Sequence, residues 1–167
     1  MDFAQAGRPE SLKVAGASLA LRWFEPAVHT PGPWAAVLLA PAMGVEAAYY
    51  RPFCAWLAEQ GVCVLSFDYR GIGASRPPGS LRKVQADLDT WAADQDAVLL
   101  HLSAARPELP LLVLGNSLGA QLAGGLPSRS RIRGLLALSM GSGYLGHLQP
   151  AFRRQARRRS HRATSPA

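Results

Sequence analysis

The chain has 167 residues, 49% of them hydrophobic and 17% charged, with 18 Lys and Arg against 11 Asp and Glu. That length suits one domain with a sizeable buried core and excludes wholesale disorder. The longest mostly apolar stretch, Trp34 to Val45, is broken by Pro41 and falls short of the ~20 residues a membrane-spanning helix needs.

The first residues carry Asp2 and Glu10 and no apolar leader, so no secretory signal is read there. Leu12 to Val14 and Leu19 to Phe24 read as two strands around a turn at Gly16. Pro31, Gly32 and Pro33 mark a turn, after which the continuous apolar run Ala35 to Leu39 predicts a strand buried on both faces. Pro41 to Gly44 is expected to be a loop. A helix is predicted from Tyr49 to Gln60, with Tyr49, Phe53, Trp56 and Leu57 on its apolar face and Gly61 as its stop. Cys54 on this helix and Cys63 just after it form neither a C-x-x-C pair nor a disulfide framework, which points to a reducing, cytoplasmic setting.

Val62 to Phe67 is the next buried strand, followed by the polar loop DYRGIGASRPPG. The longest helix is predicted from Val84 to Ser103. Its stripe is Val84, Leu88, Trp91, Val98, Leu99 and Leu102, and Asp87 and Asp89 lie near its positive end. Leu111 to Leu114 is a short buried strand, a helix is expected to about Gly125, and Ile132 to Met140 reads as a further strand. Apolar strands alternating with helices imply a mostly parallel sheet of about six strands covered on both faces, an open three-layer α/β sandwich.

The sharpest chemical signal is Gly115-Asn116-Ser117-Leu118-Gly119, a G-x-S-x-G run between a strand and a helix. Glycines two positions before and after the serine let strand and helix pack closely, and the turn raises the Ser117 hydroxyl above the sheet. The Leu118 N–H would then point at a substrate carbonyl oxygen. The competing reading is a packing turn with an idle serine.

With these pieces in order, the chain resembles the α/β-hydrolase superfamily, in particular its serine aminopeptidase-like bacterial members. The resemblance rests on APAMGVEAAYYRPFCAWLAEQG, VLSFDYRGIGAS, the Trp91-to-Asp96 helix, VLGNSLGAQLAG and LSMGSGY, and spans about residues 12–144. It implies a serine hydrolase acting on a small ester, amide or peptide-like acyl substrate, with Ser117 as nucleophile. It also implies that the loop Pro41-Ala42-Met43-Gly44 supplies a second oxyanion N–H, from Met43. This loop departs from the His-Gly form common in the superfamily. No cofactor and no metal are expected.

The superfamily's chain order is Ser, then Asp or Glu, then His. After Ser117 this sequence holds no Asp or Glu, and of its histidines only His147 and His161 follow. His147, past the C-terminal end of a strand, is on the correct side to act as an improvised base; its bland reading is a solvent-exposed loop residue. His29 and His101 are expected at the wrong end of the sheet. Asp68, at the top of its strand, is a candidate site carboxylate, against a loop-organising acid that pairs with Arg70 or caps local N–H groups.

Residues 1–146 are thus read as the N-terminal part of an α/β-hydrolase domain and 147–167 as a basic, disordered tail. All eleven acids lie before residue 109, and six Arg crowd positions 153 to 162. A truncated or frame-shifted end is the preferred account of the tail. An idle terminus and a nucleic-acid or anionic-membrane arm are the alternatives. Gly141-Ser-Gly143-Tyr-Leu-Gly146 fits G-x-G-x-x-G but lacks the helix, strand and acid of a dinucleotide fold.

Three functional readings follow: a serine hydrolase, inactive if its triad is incomplete; a non-catalytic remnant or binding module keeping the elbow pocket; and, least favoured, a basic-tailed nucleic-acid-associating protein. If Ile132 to Met140 ends the sheet, its apolar edge invites a homodimer.

Overall fold

The computed structural model describes residues 7–27, 32–80, 84 and 86–141. Strand β1 (Arg8–Val14) turns at Gly16, where φ is +73°, into β2 (Ala17–Phe24). Then come β3 (Ala35–Ala40), α1 (Arg51–Glu59) behind a 3-10 turn over Ala47–Tyr50, β4 (Val62–Phe67), α2 (Leu88–Ala105), β5 (Leu111–Asn116), α3 (Leu118–Ala123) and β6 (Gly134–Leu138).

The six strands form one sheet in the order β1-β2-β4-β3-β5-β6. β2 runs antiparallel to β1 and β4, while β4, β3, β5 and β6 are mutually parallel. Every residue of β3 and β4 is buried, Ser66 of β4 included, as their mostly apolar runs predict for central parallel strands. The pleat divides them between two cores. Ala36, Leu38 and Ala40 with Cys63, Leu65 and Phe67 face Val98, Leu99 and Leu102 of α2 and Ala123 of α3. Val37, Leu39, Val62 and Val64 face Cys54, Ala55 and Ala58 of α1. Helices on both faces make the three-layer sandwich expected from the alternation of elements.

Two helix faces depart from expectation. On α1 the inward residues are Cys54, Ala55 and Ala58, with Tyr50 just before them; of the predicted face only Leu57 packs against this core, while Tyr49 is 76% exposed and Phe53 and Trp56 stack on each other outside. The small residues let α1 lie close to the sheet. The second helix starts at Leu88, not Val84. Asp87 is its N-cap, accepting from Thr90 N–H, while Thr90 Oγ1 accepts from Asp87 N–H, both at 2.8 Å. Leu88 is consequently exposed.

Helix α2 also carries a buried polar run. Asp94 binds Arg70, Gln95 bridges Tyr69 and Gly119, and Asp96 accepts from the N–H and hydroxyl of Ser128. One turn of helix thereby holds the loop after β4, the first turn of α3 and the loop after α3. β6 is two residues shorter at each end than the Ile132-to-Met140 reading, and among the described residues no strand pairs with its outer edge. Leu135, Leu136, Leu138 and Met140 are exposed there.

Candidate active site

β5 ends at Asn116, α3 begins at Leu118, and the whole reversal is made at Ser117, with φ +50° and ψ −110°. A non-glycine residue at positive φ costs of order 1–3 kcal/mol and persists only where its surroundings hold it. Here Ser117 N–H donates to Leu138 O of β6 at 2.8 Å, and Ser117 O accepts from the N–H groups of Ala120 and Gln121. The serine hydroxyl makes no cap hydrogen bond to α3, so it is not consumed by the helix it starts.

Both motif glycines are required by contact. A Cβ on Gly115 would stand 2.4 Å from Ala120 N, and one on Gly119 would stand 2.2 Å from Ala40 O. The second contact is the closer one and joins α3 to the end of β3. There the chain enters the Pro41–Gly44 loop, where Val45 N–H donates to Ala42 O across a turn with Gly44 at φ +75°. Met43 sits at the corner of that turn with its side chain exposed. The Met43 loop and the Ser117 turn therefore leave adjacent parallel strands at the same end of the sheet, β3 and β5 being paired up to Ala40 and Gly115.

Asp68 stands elsewhere in the economy of hydrogen bonds. Its Oδ1 accepts from Ala47 N–H at 2.6 Å and its Oδ2 from Ala74 N–H at 2.9 Å, and Ser75 Oγ donates to its carbonyl. Both carboxylate oxygens are thus engaged by loop amides, which is the loop-organising role rather than that of a free site carboxylate. Arg70 is not its partner but pairs with Asp94 at 2.6 Å.

His101 approaches Glu10 of β1 at 2.8 Å, a contact that bonds only with a proton on Nε2, and packs against Trp23. It is not brought to Ser117. His29, His147, His161 and most of the G-x-G-x-x-G run lie outside the described residues, as does the 147–167 tail. Burial pushes the Cys54 thiol up to about 12 and the Cys63 thiol to about 11, so both are neutral and neither competes as a nucleophile. Among the described residues no group of three or more His, Cys, Asp or Glu could hold a metal ion. No helix among them is long and apolar enough to cross a membrane.

One contributor was not foreseen. Tyr50 is 92% buried by its 8% exposure, and its hydroxyl accepts from Ala42 N–H at 3.2 Å and from Asn116 Nδ2 at 3.0 Å. The only trace of it in the sequence is the aromatic pair Tyr49-Tyr50, which does not say which of the two faces inward.

A family model described as serine aminopeptidase, S33, matches residues 31–145. A Variovorax paradoxus protein that bears the name "Putative carbamate hydrolase RutD" is 36% identical over 102 residues, 61% of this chain and 37% of that protein. Among solved structures, a soluble variant of the monoglyceride lipase of Saccharomyces cerevisiae aligns with a TM-score of 0.71 at 19% identity. It covers 80% of this chain and 46% of the lipase. A thermostable carboxyl esterase from Bacillus coagulans aligns with a TM-score of 0.69 at 16% identity, over 92% of this chain and 51% of the esterase. At such identities the structural likeness shows the fold. The chain spans about half or less of the length of these relatives.

Proposed function

Because this chain belongs to the serine aminopeptidase S33 family of the α/β-hydrolase superfamily, we propose that it is a serine hydrolase whose nucleophile is Ser117. The observation that carries the reading is the strained backbone of Ser117 between a central strand and a helix, with its hydroxyl left out of the helix cap. Strain at a residue so tightly held is a mark of function.

In the proposed reaction Ser117 Oγ attacks the carbonyl carbon of an ester, amide or carbamate, and its proton passes to a base. The oxyanion is held by the N–H groups of Leu118 and Met43, the leaving group departs with a proton, and water then attacks the acyl-enzyme to release the acid and restore Ser117. The substrate class rests on the names of the relatives, a carbamate hydrolase, a lipase and an esterase. Of the two histidines that follow Ser117, His147, which comes soon after β6 in the chain, is the candidate for an improvised base.

A fluorophosphonate probe tests this. It is expected to label the chain at Ser117, and Ser117→Ala is expected to abolish both labelling and hydrolysis of a short p-nitrophenyl ester. Loss of a triad nucleophile costs about 10⁶-fold in turnover in a related triad system. Labelling that survives the substitution would overturn the assignment.

A second reading is favoured by one observation: none of the fifty residues after Ser117 is Asp or Glu. A chain without the acid that orients the histidine would keep the elbow pocket as a binding surface and turn over little or nothing. An unlabelled wild-type chain that still binds a carbonyl-containing ligand would decide for it.

The partner proposed beyond the substrate is a second copy. Among the described residues no strand pairs with the outer edge of β6, which has no charged residue within its five positions and carries exposed leucines. Antiparallel pairing of β6 with its twofold mate would satisfy that edge in both copies and cover the leucines. Sedimentation velocity at rising concentration is expected to show a dimer that Leu136→Lys weakens; a monomer throughout would refute it.

A further inference from the structure

We propose that Tyr50 is a positioning residue of this site, its hydroxyl setting the separation between the Met43 and Leu118 amides. This rests on the hydrolase reading above. The sheet itself stops governing that separation at Ala40 and Gly115, the last paired residues of β3 and β5. Beyond them one chain swings out through Ala42 and Met43 and the other reverses at Ser117. Nothing in a β-ladder then fixes how far apart their amides lie, and oxyanion stabilisation depends on that distance to within a fraction of an ångström.

The Tyr50 hydroxyl spans the gap. It accepts from the N–H of Ala42, the residue before Met43, and from the side-chain amide of Asn116, the residue before Ser117. Its phenol ring is a stiff spacer: it is packed in the core with Val37, Leu39, Cys54 and Leu114, and Tyr49 meets it edge-on at 5.2 Å. A tyrosine has two rotatable side-chain bonds, and burial of the ring locks both, so the hydroxyl is a fixed point to which both loops are tied. The same contact gives the first x of G-x-S-x-G a task. Asn116 donates its side-chain amide to the brace, so Ser117 is located from its N-terminal side by Tyr50 as well as from β6 by Leu138 O.

Tyr50→Phe keeps the ring and deletes the spacer's contact point. The full chain, Tyr50→Phe, Asn116→Ala and the double variant are compared by the second-order rate of fluorophosphonate labelling, by thermal midpoint and by amide hydrogen exchange. Tyr50→Phe is expected to slow labelling about 10- to 100-fold, the scale of a misplaced oxyanion donor. Exchange at Ala42 should accelerate while Val113, in the middle of β5, stays protected. Asn116→Ala should act through the same brace, so the double variant should label no more slowly than Tyr50→Phe alone. A purely structural role would instead lower the midpoint and raise exchange at Val113 without a selective loss of labelling.

Labelling at the wild-type rate in a folded Tyr50→Phe, or losses from the two substitutions that simply multiply, would overturn the proposal and leave the hydrolase reading intact. A wild-type chain that is not labelled would remove the hydrolase reading. The exchange measurement would then decide the brace alone, unchanged protection of Ala42 in Tyr50→Phe counting against it. Should Tyr50→Phe fail to fold, Asn116→Ala carries the same comparison with the ring untouched.

Discussion

Gly119→Ala is expected to destabilise the chain by about 3 kcal/mol or more, at the upper end of what overpacking a core costs. The added methyl would meet Ala40 O at 2.2 Å and Ala40 C at 2.6 Å, both backbone atoms of the central strand. No flexible side chain can move aside, so either α3 lifts from the sheet or β3 shifts. Either movement also displaces Ser117, since Gln121 and Ala120 donate to its carbonyl from the same turn of helix. The urea midpoint and the probe-labelling rate should therefore fall together. Gly124→Ala is the control. Gly124 has helical backbone angles, φ −69° and ψ −23°, and its added methyl meets nothing within 4 Å. That variant should be neutral or more stable by about 0.5 kcal/mol. Equal stabilities for the two alanine variants would mean that close packing does not explain the glycine at position 119.

The second large effect is expected at Asp94. Its carboxylate, fully buried, takes Arg70 Nη2 at 2.6 Å, Arg70 Nε at 3.0 Å and the Arg70 backbone N–H at 3.1 Å. Hydrogen bonding to Asp94 holds the Arg70 guanidinium above its ordinary range, and the Arg70 side chain is only 12% exposed. Asp94→Ala leaves that cation without compensation where water reaches it poorly. The expected cost is about 3–5 kcal/mol, a large share of the 5–15 kcal/mol typical of a whole domain. Replacing both partners, Asp94→Leu with Arg70→Met, should recover most of the loss, because no charge is then stranded. Urea unfolding of the two variants measures this. A single variant that loses under about 1 kcal/mol would show that the loop after β4 is held by other means, Asp68 and Tyr69 being the alternatives already in contact.

Strands β3 and β4 and helix α1 show where sequence patterning suffices and where it does not. The runs AVLLA and VCVLSF could be placed as buried strands because apolar residues fill both faces of each, Ser66 being the one polar position, and a strand apolar on both faces must be covered on both. The inward face of α1 could not be chosen in the same way. Tyr49, Phe53 and Trp56 make one apolar stripe and Tyr50, Cys54, Ala55 and Ala58 make another, one residue apart. Ranking by hydrophobicity selects the aromatic stripe; the sheet accepts the small one, because helix and strand must approach closely enough to exclude voids. That single shift hid Tyr50 from any reading of the chain alone.

Asp94, Gln95 and Asp96 were illegible for a related reason. Three consecutive polar residues on a helix read as a solvated face, and their burial depends on partners at Arg70, Tyr69, Gly119 and Ser128 that are distant in the chain. Asp68 is similar: its type and place suit a site, but the amides of Ala47 and Ala74 claim both oxygens.

What the sequence determined unaided was local. The order of strands and helices, the glycines of the 115–119 motif and the serine between them follow from short-range constraints: periodicity, the length of apolar runs, and the steric demands of one tight reversal. What only the tertiary structure decided was which groups meet: Asp68 with loop amides, Gln95 with Gly119, Tyr50 with Ala42 and Asn116. A hydrogen bond between residues tens of positions apart leaves no period in the chain, since its energy is realised only after the sheet has brought both ends to the same few ångströms.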